Sequence, residues 1–136
     1  MVESSNKQKH LEFIQASIVR MSGNLFLLKG WSVTLTAALF ALAAKDTNKA
    51  YMVVAYFPLL IFWCLDAYFL SMERRFRSLY EDVRKLQEDE IDFSMNTESY
   101  KSNPRNSWSA AMLSRTLITY YAGLALVMLG LSVIIK

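Results

Sequence analysis

The chain has 136 residues, 54% of them hydrophobic and 20% charged, which fits one domain by length and exceeds the apolar content of ordinary soluble domains. A net charge of +3 and an isoelectric point near 9.0 are mild in so apolar a chain, so direct DNA binding is not expected and the distribution of charge matters more than its sum. The single cysteine, Cys64, excludes an intramolecular disulfide and, within its apolar run, reads as a small buried hydrophobe.

Residues 1–24 read as a helix. Leu11, Ile14, Ile18, Met21 and Leu25 recur at spacings of three and four, which places them in one stripe. Lys7, Lys9 and His10 read as a solvated basic end of that helix, and Gly23-Asn24 as a flexible point, since both residues weaken a helix.

Three stretches reach the roughly 20 apolar residues needed to cross a hydrocarbon core of about 30 Å: 25–44, 51–71 and 116–135. Lys29 interrupts the first near its start, within reach of the headgroups by extension of its stem. Ala41-Leu42-Ala43 has the small-x-small pattern of a leader cleavage site, but the stretch before it is too long for a secretory leader. Pro58 removes a backbone hydrogen bond from the second span and should bend it.

Basic residues set the expected orientation. Lys7, Lys9, Arg20 and Lys29 precede or open the first span, and Arg74, Arg75, Arg77, Arg84, Lys85, Lys101, Arg105 and Arg115 follow the second. The opposite side holds Lys45, Lys49 and Lys136. The positive-inside bias therefore puts the N-terminus and the long second loop in the cytoplasm of a multi-pass inner-membrane protein, with the C-terminus outside. Trp108 and Tyr51 suit the two interfaces.

Beyond the second span, Met72, Phe76, Leu79, Val83 and Leu86 form a second stripe. Glu73 with Arg77, Arg77 with Glu81, and Glu81 with Lys85 are spaced to pair along its solvated face. Only residues 45–50 join spans one and two, so they form an antiparallel hairpin in which residues at equal depth have numbers summing to about 95. The fold expected is all-α: three transmembrane helices, the first two extended into a cytoplasmic antiparallel stalk. Residues 5–24 lying flat on the bilayer is the alternative, disfavoured by the mixed charge of their polar face. Within 72–115, the acidic cluster from Glu88 to Asp92 and the polar stretch 96–109, with its Asn103-Pro104 turn, read as a solvated connector open to a soluble partner.

Few residues suggest chemistry. By the hairpin rule Lys29 and Asp66 lie at the same depth, where each offsets the other's cost in the bilayer, either as a structural lock or as an ion or proton site. Ser32 and Thr36 extend a polar stripe from Lys29, which suits helix-backbone bonding better than a pore lining. Ala37, Ala41 and Ala44 form one small face and Thr119, Gly123 and Gly130 another, suited to close helix contact within one chain or between chains. Arg74, Arg75 and Arg77 can contact anionic lipid or another anionic ligand, although positive-inside anchoring also accounts for them. With one histidine, no HExxH motif and no phosphate loop, the sequence gives no reason to expect an enzyme, a metal site or a cofactor.

Leu11-Glu12-Phe13-Ile14-Gln15, Leu27-Leu28-Lys29-Gly30-Trp31, Leu65-Asp66-Ala67-Tyr68 and Glu73-Arg74-Arg75-Phe76-Arg77-Ser78-Leu79-Tyr80 resemble small bacterial multi-pass membrane proteins encoded beside phage-defence genes. The likeness spans about the first two thirds of the chain. It implies an antiviral effector that assembles as a homo-oligomer in the inner membrane and compromises it, through a pore or by disruption, when a soluble cytoplasmic partner or a nucleotide signal acts on the stalk. A non-conducting anchor or scaffold that recruits a soluble partner is the competing expectation.

Overall fold

The computed structural model describes residues 5–46 and 48–135, so Lys136, counted on the outer side, lies outside the described residues. Among the described residues five α-helices follow one another: α1 (Asn6–Ala44), α2 (Ala50–Val54), α3 (Tyr56–Val83), α4 (Trp108–Met112) and α5 (Arg115–Ile134). Three helical stretches are long and apolar enough to cross a bilayer: Asn6–Ala44, Ala50–Val83 and Arg115–Ile134. Their outward surfaces are correspondingly apolar, with Phe26 79%, Val53 71% and Ile134 77% exposed, which is unfavourable in water and natural against lipid.

Helix α1 is 39 residues long, about 58 Å at 1.5 Å per residue. Ser5 caps it through a side-chain acceptor for the Gln8 N–H. It passes unbroken through Gly23 and Asn24, because the roughly 1 kcal/mol that glycine costs a helix is small beside the cooperativity of a long, packed one. The second apolar helix loses a hydrogen bond at its proline, although Ala55 keeps helical φ −66° and ψ −20°. Pro58 has no N–H for the Val54 carbonyl and its ring crowds that carbonyl, so the helical hydrogen bonding is interrupted beside Ala55, between α2 and α3.

The stalk forms in the expected register. Ile14 and Ile18 of α1 bury against Phe76, Leu79 and Val83 of α3, with Leu11, Met21, Met72 and Leu86 packed around them. Full burial of such side chains contributes roughly 1.5 to 3 kcal/mol each before entropy is counted. A second apolar cluster, centred on Phe40, Leu59, Ala67, Leu117, Tyr121 and Met128, joins α1 and α3 to α5.

The segment after α3 is largely exposed, as its composition suggests, but it also packs along the stalk. Single 3₁₀ turns at Glu88–Glu90, Glu98–Ser102 and Pro104–Asn106 fold it back along the stalk, where Ile91, Met95 and Tyr100 pack on the stalk core. Polar residues dominate it because they make its turns: Asp92, Asn96 and Asn103 each accept an N–H two residues on. It is fastened at both ends. Near the tip, the Glu88 carboxylate accepts from the Asn6 and Lys7 N–H groups that open α1. Near the spans, Ser71 Oγ donates to the Asn106 carbonyl at 2.6 Å and Asn106 Nδ2 donates to Ser78 Oγ at 3.0 Å.

Three local expectations are corrected. His10 is fully buried and not solvated: its Nε2–H donates to the Ser94 carbonyl at 2.9 Å, and its ring lies 5.5 Å from that of Phe93. Phe93 itself has φ 55°, a left-handed backbone that a bulky residue adopts only when its contacts, here the rings of His10 and Phe13, hold it. Cys64 is exposed on the outer face of α3 instead of buried. Of the helical ion pairs, Arg77 joins Glu73, but Glu81 pairs with Arg84 and Lys85 with Asp82. Glu73 already engages two nitrogens of Arg77, and α3 ends at Val83, so the basic residues beyond it sit in a tighter turn that favours partners three residues back.

Candidate functional site

Where the stalk meets the three apolar helices, α1, α3 and α5 are tied by one polar cluster. The hairpin places Lys29 opposite Asp66, and Lys29 Nζ lies 2.7 Å from Asp66 Oδ2. The Asp66 side chain is fully buried and that of Lys29 is 23% exposed, so the lysine side chain is partly at the surface while the carboxylate is not. Helix α5 adds two groups that sequence reasoning did not single out. Tyr121 donates its hydroxyl to the same Asp66 oxygen at 2.9 Å, and Tyr120 donates to the Lys29 carbonyl at 2.7 Å. Ser32 Oγ closes the cluster, 2.8 Å from the Lys29 carbonyl and 2.9 Å from the Tyr120 hydroxyl. The available signal was two adjacent tyrosines early in an otherwise apolar span, where each phenol needs a partner.

The geometry is that of a tie. Both charge-assisted contacts converge on Oδ2, and Asp66 Oδ1 has no partner among the described residues. Thr36 Oγ1 is likewise buried without a partner. Ser32 and Thr36 thus point into the chain's own interior, not toward an outer face that a pore could use.

Two indoles brace the same level from α3 and α4. Trp63 Nε1 donates to the Met112 carbonyl and Trp108 Nε1 to the Cys64 carbonyl, each at 3.1 Å. The crossed pair holds the short α4 against α3, and Ser114 then caps α5 through the Leu117 N–H.

The small faces point outward. Ala37, Ala41, Thr119 and Gly130 are exposed, and Ala44 and Gly123 are half-buried. A Cβ built at Gly123 or Gly130 meets nothing within 4 Å, so these glycines serve no close contact inside the chain.

The three arginines separate. Arg74 and Arg77 line a cleft of about 450 Å³ between α3 and the folded-back segment, with Arg105, Tyr100, Glu81 and Asp82. Arg75 turns elsewhere, its NH1 3.6 Å from Met72 Sδ. In the cleft, Tyr100 donates to Asp82 at 2.8 Å, and burial together with that carboxylate pushes its phenol up to about 12. No protein-family model matches the chain, and neither the curated proteins nor the solved structures provide a match.

Proposed function

We propose that the chain is a homo-oligomeric, multi-pass bacterial inner-membrane effector, its stalk in the cytoplasm, which disrupts the bilayer when a partner or small-molecule signal acts on that stalk. The observation that carries this reading is the continuity of α1 from the tip of the stalk to the far end of the first apolar stretch. A change at the tip is transmitted along one rigid element, and the polar cluster around Asp66 is where α1, α3 and α5 must move together or part. Disruption by rearranged helices fits better than a preformed pore, because Ser32 and Thr36 are buried and the outward surfaces are apolar or small. The inside location of the stalk is supported by its basic residues. The antiviral setting is supported by the resemblance of the four segments quoted above.

The inward-facing hydroxyls also favour a second reading, a non-conducting anchor or scaffold that presents the folded stalk to a soluble partner. Ion flux from liposomes carrying the purified chain separates the two. Dye or ion release on adding cytoplasmic extract from phage-infected cells, absent with extract from uninfected cells, supports the effector. Sealed liposomes under both conditions, with a soluble protein retained on the stalk, support the scaffold.

A further inference from the structure

The cleft beside the stalk is a site that the polar cluster does not use. Its basic wall combines Arg74 and Arg77 from α3 with Arg105 from the folded-back segment. Two of these guanidinium groups are held in place by the chain itself: Arg74 NH1 donates to the Arg105 carbonyl at 2.9 Å, and Arg77 donates through Nε and NH2 to Glu73. A guanidinium has five N–H donors, so both retain donors for a ligand, and among the described residues none of the hydrogen bonds around Arg105 uses its side chain. Three arginines with spare donors around one small cleft match the several acceptor oxygens of a phosphoryl group.

The acidic residues of the cleft sit on α3 as well, one turn beyond Arg77, and are not free. Glu81 pairs with Arg84 and Asp82 with Lys85, and Asp82 also accepts the Tyr100 hydroxyl. These carboxylates therefore repel an anion less than their number suggests, while keeping acceptor positions for a hydroxyl or amino group. A volume of about 450 Å³ suits a small organic molecule and not a polymer.

We propose that this cleft binds a small phosphate ester bearing a hydroxyl or amino group, with its phosphoryl group on Arg74, Arg77 and Arg105 and its donor group toward Asp82. The site stands on the cleft alone; its use as the trigger for a membrane response rests on the effector reading above. The same chemistry occurs in soluble metabolites and in lipid headgroups, and Arg74, three residues beyond Ser71 at the end of the second span, lies about 5 Å past that end at 1.5 Å per residue.

The test uses the full chain in phosphatidylcholine nanodiscs, titrated calorimetrically with glycerol phosphate and with O-phosphoethanolamine. A parallel arm measures retention of phosphatidylethanolamine and phosphatidylglycerol from mixed nanodiscs by native mass spectrometry. Arg105→Glu reverses a charge in the cleft, and Lys101→Glu makes the same change in charge on a neighbouring lysine outside it. Circular dichroism confirms that both variants keep the helical fold. Saturable binding of a soluble ester, weakened about 10-fold or more by Arg105→Glu and no more than about twofold by Lys101→Glu, supports a free metabolite as the ligand. Failure of both esters together with Arg105-dependent lipid retention supports a headgroup. Equal weakening by the two variants, or no Arg105-dependent binding in either arm, overturns the proposal. Neither arm depends on ion flux, so a sealed membrane in the liposome assay leaves this result standing.

Discussion

The Tyr121 hydroxyl donates to Asp66 Oδ2 at 2.9 Å, joining α5 to α3 through the oxygen that Lys29 holds from α1 at 2.7 Å. One buried carboxylate therefore ties together all three apolar helices, and removing either partner leaves its charge under-compensated.

Lys29→Met should destabilise the folded chain by about 2 to 4 kcal/mol, somewhat below the full cost of breaking a buried pair because the lysine side chain is partly exposed. Tyr121→Phe should cost about 1 to 2 kcal/mol, the range for a hydrogen bond to a charged group. The double variant Lys29→Met with Asp66→Leu should recover more than half of the Lys29→Met loss, since no buried charge remains. Unfolding in mixed micelles measures these three and the single variant Asp66→Leu, and strictly additive effects at positions 29 and 66 would show that the two side chains do not interact.

Glu88→Ala should loosen the tip of the stalk without affecting its base. The carboxylate accepts the first N–H groups of α1 and lies at the positive end of the helix dipole, a cap worth about 1 kcal/mol. Amide hydrogen exchange should accelerate at residues 6–8 and 88–94, while the amides around Phe76 keep their protection. Unchanged exchange at the tip would mean that the folded-back segment is held by its apolar contacts alone.

Tyr100 makes the stalk sensitive to alkali. Its folded pKa of about 12 lies above the ordinary value of 10.0, so its contribution to stability is fully present below pH 10 and is lost as pH rises toward 12, where the unfolded chain ionises first. Thermal midpoints measured from pH 9 to 12 should fall less steeply in Tyr100→Phe than in the wild type. Parallel curves would show that the phenol ionises alike in the folded and unfolded chains.

Gly123→Leu should leave the isolated chain folded, because the new side chain enters open space and leucine favours helix more than glycine does. If copies associate through this face, the same change should shift the detergent-corrected mass toward monomer. An unchanged oligomer would place the contact elsewhere, and a monomeric wild type would dispose of the association altogether.

Helix type, hairpin register and the stalk were all legible in the sequence, because each follows from one-dimensional spacing. Apolar residues recurring every three to four positions from Leu11 and from Met72 mark the two stripes that meet, and a connector of six residues leaves spans one and two a single antiparallel register. That register is enough to bring Lys29 to Asp66. Pro58 similarly announces the lost helical hydrogen bond beside Ala55 through its missing N–H. The placement of α5 was not legible: a third helix joined by some thirty residues can approach the hairpin from any side, and only packing puts Tyr120 and Tyr121 on Lys29 and Asp66. The same holds for the segment after α3, whose exposed polar residues make its turns while Ile91, Met95 and Tyr100 dock it on the stalk. Burial of His10 and recruitment of Arg105 to the cleft follow from that fold-back, because they depend on contacts between residues far apart in the chain, whereas Arg75 parts from Arg74 and Arg77 by local helical rotation toward Met72.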